Sequence, residues 1–189
     1  CSYHFNLYNS SKLSLGLNLN NPRGLEIAKK LISRADIVIE SFTPGKMKKR
    51  GLGYEDLKGL KPDIIMLSVS SQGQSGRLSE SPGFGWILNA LCGFIHATGW
   101  PDREGVPPHV AYTDLIVPWY GVIALLAALD YHRRTGRGQH IDLAHLEAGL
   151  TFLAPSLLDC TGNGRDQNRM ANTSPYAAPH GVYPCQGED

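Results

Sequence analysis

The sequence has almost no surplus of charge: 18 lysines and arginines face 17 aspartates and glutamates over 189 residues, a formal net charge of +1. That balance excludes a broad basic footprint for nucleic acid, and no acidic or basic tail supplies one locally. Cysteine is also scarce. Cys1, Cys92, Cys160 and Cys185 lie far apart with no C-x-x-C pair. Neither a disulfide framework nor a metal site is expected, and a reducing cytoplasm is the expected setting. No basic-then-apolar signal segment opens the sequence. The uncharged run Leu115 to Leu129 is 15 residues long and contains Pro118. It reads as a buried helix too short for a bilayer, so no membrane partner is expected. G-x-G-x-x-G, G-x-x-x-x-G-K-[ST] and G-x-S-x-G are all missing. A standard dinucleotide site, a P-loop and an α/β-hydrolase are therefore disfavoured.

What remains is ordinary globular material, 42% hydrophobic and 19% charged, enough to bury a core. Leu13, Leu15, Leu17 and Leu19 alternate with polar residues, the period of a half-buried strand. Asn21-Pro22 is an N-cap followed by proline, opening a helix to about Ser33 with Leu25, Ala28, Leu31 and Ile32 inward. Ile37–Ile39 and Ile64–Val69 read as buried parallel strands, with a short helix from Tyr54 to Leu60 between them. Phe84–Ala97, Leu115–Arg134 and Leu146–Leu158 read as helices, and His140–Leu143 as a strand. Strands alternating with helices in this way predict an α/β fold, a parallel sheet with crossover helices. Residues 1–160 are assigned to this unit. Residues 161–189, rich in Gly, Asn and Pro, are assigned to a linker toward a second, smaller domain. A start at Cys1 without Met and a stop after Gly187-Glu188-Asp189 suggest an internal piece of a longer protein.

Few segments carry chemistry on their own. Gln72–Gly76 follows a strand as a phosphate loop would, but a tight turn explains it as well. His140 and His145, at a strand and its exit, project differently and make poor co-ligands. Lys46, Lys48, Lys49 and Arg50 follow a strand's carboxyl end, where open α/β sheets bind ligands, though a solvated face is the plainer reading. Arg133, Arg134 and Arg137 suit the end of a long helix. Trp86, Trp119 and Tyr112 fit either core packing or an aromatic acid. Asp114 is the most informative residue. It stands at the mouth of the longest apolar helix with no Lys or Arg within four residues. It can be an N-cap accepting a backbone N–H, or a carboxylate nucleophile toward an activated acyl group. Sequence chemistry leaves both open.

Several motifs together narrow the choice. Ala35 to Gly45 (ADIVIESFTPG), Arg50-Gly51-Leu52-Gly53-Tyr54, Pro62-Asp63-Ile64-Ile65 and Gly73-Gln74-Ser75-Gly76 occur in order. They are followed by Tyr112-Thr113-Asp114, Ala127-Ala128-Leu129, and Arg134 to Asp142 (RTGRGQHID). This series resembles the class III CoA-transferase family, which includes α-methylacyl-CoA racemases, and covers essentially the whole chain. The resemblance implies a Rossmann-like large domain, an interlocked homodimer, and coenzyme A with a small carboxylic acid as substrates. It implies that Asp114 becomes an acyl anhydride and then a CoA thioester. It also implies CoA contacts from Lys12, Lys49 and Arg50 and from the strand-end loop containing Thr43. Ammonium and guanidinium groups suit the phosphates of CoA. Ser41 and Thr43 stand where the family usually has Asn and Arg. Gly83-Phe84-Gly85 stands where the racemase branch has its Gly-His-Asp base. Racemisation needs a proton acceptor, so CoA transfer is expected, with an epimerase or a non-catalytic CoA-binding module as alternatives.

Overall fold

The computed structural model describes residues 2–187. In chain order its helices are α1 (Tyr3–Tyr8), α2 (Pro22–Ile32), α3 (Lys46–Lys49), α4 (Tyr54–Leu60), α5 (Gly85–Leu91), α6 (Phe94–Ala97), α7 (Tyr112–Thr135), α8 (His145–Phe152) and α9 (Ala154–Asn163). Strands β1 (Ile37–Glu40), β2 (Ile65–Ser70) and β3 (His140–Ala144) form a parallel sheet in the order β1-β2-β3. Ile37 pairs with Ile65, and Met66 with His140. The expected α/β sheet with crossover helices is present.

Side-chain alternation along β2 builds a layer on each face. Met66 joins buried Leu52, Leu57 and Ile64, against which Leu25 and Ile32 of α2 and Tyr54 of α4 pack. Its neighbour Leu67 faces α7, where Gly121 lies against Leu67 and Leu143. The inward residues of α7 are Thr113, Ile116, Val117, Gly121 and Ala128, all buried. Its outward residues Trp119, Val122, Ile123 and Leu126 are exposed in the single chain. At 24 residues and largely apolar, α7 could cross a bilayer by length and composition. That corrects the expectation of a helix too short to do so: the helix extends past both ends of the uncharged run. Here its inner face packs on β2, β3, α5 and α8.

Local signals decide where elements begin. Asn21 caps α2, its side chain accepting from the Arg23 N–H, with Pro22 in the first turn. The predicted strand over Leu13–Leu19 does not form: the segment pairs with neither edge of the described sheet, and alternation alone does not make a strand. Leu13 and Leu15 are exposed, and Leu19 packs on the core beside α2. Leu31 is likewise exposed rather than inward. β1 is an edge strand with Ile39 outward, not a buried one. Phe84–Ala97 is two helices, broken where Gly93 adopts a φ of 93° that a side chain would resist. Leu146–Leu158 is also two, α8 and α9, separated at Leu153 ahead of Pro155. The expected division at residue 160 falls inside α9, which continues to Asn163. Beyond it, the Arg169 guanidinium donates to the carbonyls of His96 and Trp100, and Ala171 N–H donates to Gly99.

Candidate active site

The carboxyl ends of all three strands open on one cleft of about 620 Å³. The β1 exit supplies Ser41, Phe42, Thr43 and Pro44, and the β2 exit supplies Val69, Ser70 and Ser71. The loop before α5 adds Ser79 and the run Ser81 to Phe84, α5 adds Gly85 and Leu88, and Asp114 and His145 complete the lining. This is the edge at which parallel sheets bind ligands. Six of the lining residues carry hydroxyl groups, and the Ser70 Oγ is buried without a hydrogen-bond partner among the described residues.

Asp114 is not a helix cap. The cap position of α7 is Ala111, so Asp114 is the third helical residue and its carboxylate is free of capping. The first amides of α7 are instead satisfied by a residue of another helix. Asn89 of α5 is fully buried, and its Oδ1 accepts from the N–H groups of Tyr112 (3.0 Å) and Thr113 (3.4 Å). Its Nδ2 donates to the Val110 carbonyl at 2.9 Å. One amide side chain therefore pins the start of α7, and with it Asp114. The carboxylate also gains from the positive end of the helix dipole. Pro118 sits in the second turn rather than the first, and it has no N–H to give the Asp114 carbonyl four residues earlier.

Gly85 lets Asp114 face the cleft. A Cβ on Gly85 would lie 2.4 Å from the Ala111 Cβ and 2.8 Å from Asp114 Oδ2. Any larger residue there would have to push the carboxylate away. On the other side stands His145, the first residue of α8, with Nδ1 3.5 Å from Asp114 Oδ1. Asp114 is half-exposed, whereas the imidazole is mostly covered. Burial holds the His145 pKa below the ordinary imidazole range, and the Asp114 charge offsets only part of that shift. Burial therefore favours the neutral imidazole over the charged one in this contact.

The other expected site residues are placed unevenly. Thr43 shares the cleft with Asp114, as does Ser41. Lys49 and Arg50 end and cap α3 outside the lining. The Arg50 guanidinium lies 6.0 Å from the centre of the Phe42 ring, a cleft residue, and 3.4 Å from Asn20 Oδ1. Lys12 is exposed, with its Nζ 3.5 Å from Asn9 Oδ1. Phe84 lines the cleft where the racemase branch has its histidine, but the cleft is not without an imidazole: His145 enters it from a different element. Trp119 belongs neither to the cleft nor to the core, and Tyr112 packs edge-on against Phe94 at 5.2 Å.

The remaining motifs are structural. The Gln72–Gly76 loop is held by Asp142, whose two carboxylate oxygens accept from the Gln74 N–H at 2.9 Å. His140 and His145 do diverge: His140 Nε2 lies 3.0 Å from Ser68 Oγ, and its ring stacks on Tyr54. Sequence reasoning missed Asn89 and His145 as site-forming residues. The position of His145 directly after a strand's carboxyl end was a usable signal. Asn89, inside an apolar helix, offered none.

A carboxylate free of capping thus stands at the carboxyl edge of an open parallel sheet, the edge where α/β proteins bind ligands. The chain belongs to CoA-transferase family III, whose family model matches residues 1–189. It is similar to the succinate–glutarate CoA-transferase of Agrobacterium fabrum, 34% identical over 181 residues, 96% of this chain and 45% of that protein. It is similar to the acetyl-CoA:oxalate CoA-transferase of Acetobacter aceti, 35% identical over 188 residues, 98% and 48% of the two chains. A CaiB/BaiF family protein from Brucella suis has a similar structure, with a TM-score of 0.83 and 35% identity. That match covers 87% of this chain and 44% of that one. The chain thus spans under half the length of these relatives.

Proposed function

We propose that the chain carries the nucleophile of an enzyme that moves coenzyme A from an acyl-CoA donor to a small carboxylic acid. The observation that carries this reading is the Asp114 carboxylate. It is held at the cleft by a helix start that Asn89 caps, so it is left free to react. One carboxylate oxygen attacks the thioester carbonyl, the C–S bond breaks, and CoA leaves as thiolate. The thiolate then attacks the aspartyl carbonyl of the mixed anhydride, forming aspartyl-CoA and expelling the donor acid as carboxylate. An acceptor carboxylate attacks aspartyl-CoA, giving a second anhydride and free thiolate. Attack of that thiolate on the acceptor acyl carbonyl releases the new acyl-CoA and regenerates Asp114.

The polar wall of Ser41, Thr43, Ser70, Ser71, Ser79 and Ser81 supports a short, polar acid. So do relatives named for succinate, glutarate and oxalate. Lys49, Arg50 and Lys12 are assigned to the CoA phosphates, approaching from outside the cleft. The reading includes two chains paired as interlocked rings, and a reducing cytoplasm. The test is acyl-CoA incubation of the full-length protein with hydroxylamine or borohydride, followed by mass spectrometry. An adduct on Asp114 is expected, and none in Asp114→Asn. That variant should keep its fold, because Asn89 and not Asp114 caps the helix, while transfer falls by orders of magnitude. Near-normal turnover in Asp114→Asn would refute the mechanism.

A further inference from the structure

The two oxygens of Asp114 have different surroundings. Oδ2 lies against Gly85, at 2.8 Å from where a Cβ would stand. Oδ1 faces His145 Nδ1 at 3.5 Å. That ring nitrogen is shielded from solvent and has no hydrogen-bond partner among the described residues, a costly state for a buried polar atom. The separation is about 0.5 Å longer than an ordinary N–H···O bond, and a small rotation of the half-exposed carboxylate closes it. A neutral ring with its proton on Nδ1 has one donor to give, and Oδ1 is the acceptor in front of it.

We propose that His145 is a positioning residue that distinguishes the two oxygens of Asp114. Its Nδ1–H holds Oδ1, so that Oδ2 is the oxygen that attacks. This rests on the reading of Asp114 as nucleophile. Fixing the carboxylate rotation removes a freedom that would otherwise be lost in the transition state. The same donor has a second use. Once Oδ2 has bonded to the acyl carbon, Oδ1 is the aspartyl carbonyl oxygen. When thiolate attacks that carbonyl, negative charge develops on Oδ1, in front of Nδ1–H. Collapse of the tetrahedral species breaks the bond from the aspartyl carbon to Oδ2, and Oδ2 departs in the released acid. The acceptor carboxylate then leaves one of its own oxygens in the Oδ2 place. Oδ1 never exchanges.

That oxygen bookkeeping is measurable. The full-length enzyme is turned over many times with acyl-CoA and an excess of acceptor acid carrying oxygen-18 at both carboxylate positions, and the Asp114 peptide is then weighed. One labelled oxygen is expected in the wild type, and in His145→Asn, whose amide N–H can stand where Nδ1–H stood. In His145→Leu both oxygens should become labelled as the carboxylate rotates freely. Its kcat should also fall about 10²-fold, the scale of a lost oxyanion donor, with little change in KM for acyl-CoA. Two labels in the wild type would overturn the assignment without involving any variant. One label in His145→Leu with unimpaired kcat would overturn it too, while leaving Asp114 as nucleophile. No label in the wild type would remove the nucleophile reading and this inference with it.

Discussion

Replacing Asn89 by alanine tests whether the start of α7 is held from outside the helix. The side chain makes three contacts with backbone groups in a fully buried position: two N–H groups of α7 and the Val110 carbonyl. Alanine removes all three partners and leaves a small void. An N-cap lost to alanine costs about 1 kcal/mol, and each buried polar group left unpaired costs about 1–3 kcal/mol. The 3.4 Å bond to Thr113 is the weakest of the three, so a total of roughly 2–5 kcal/mol is expected by these increments. Function should suffer beyond stability. Asp114 lies one residue past the last capped amide, and a displacement of about 1 Å at a reacting group can cost about 10²-fold in rate. Urea unfolding of the full-length protein gives the first quantity, and turnover under conditions where the variant stays folded gives the second. A loss below about 0.5 kcal/mol, in the range of an ordinary surface substitution, would show that the helix start does not depend on Asn89. Unchanged turnover in a clearly destabilised variant would show that the cap does not position Asp114.

Two further outcomes follow from the site. Lys49→Ala and Arg50→Ala should each weaken CoA binding in calorimetric titration by roughly 1.5–3 kcal/mol if well paired to phosphate, and unchanged affinity in both returns α3 to a solvated face. Incubating a chiral 2-methylacyl-CoA in deuterated water should leave the α-carbon free of deuterium, because Phe84 offers no base and His145 Nδ1 is turned to Asp114. Rapid incorporation would favour the epimerase alternative, and His145→Asn would then identify the base.

The division of labour between sequence and tertiary structure runs through individual residues. Asn21-Pro22, the β-branched runs Ile37–Ile39 and Ile64–Ile65, and Thr135-Gly136 carry their own instructions, since caps, strand runs and stops act over a few neighbours. They were legible, and so was the parallel α/β arrangement that their alternation demands. The alternating leucines from Leu13 carried an instruction too, but a strand needs an edge to pair with, and this segment joins neither edge of the described sheet. Asp114 could be singled out by its place before an apolar helix, but whether its carboxylate was spent on a cap could not. That depended on Asn89, 25 residues earlier in sequence and on another helix. His145 was visible as a strand-exit residue, yet its approach to Asp114 exists only because β3 and α7 meet at one sheet edge. Local order is written in short-range sterics and hydrogen bonds. The freedom of one carboxylate and the donor facing it come from residues far apart in the chain, which only packing brings together.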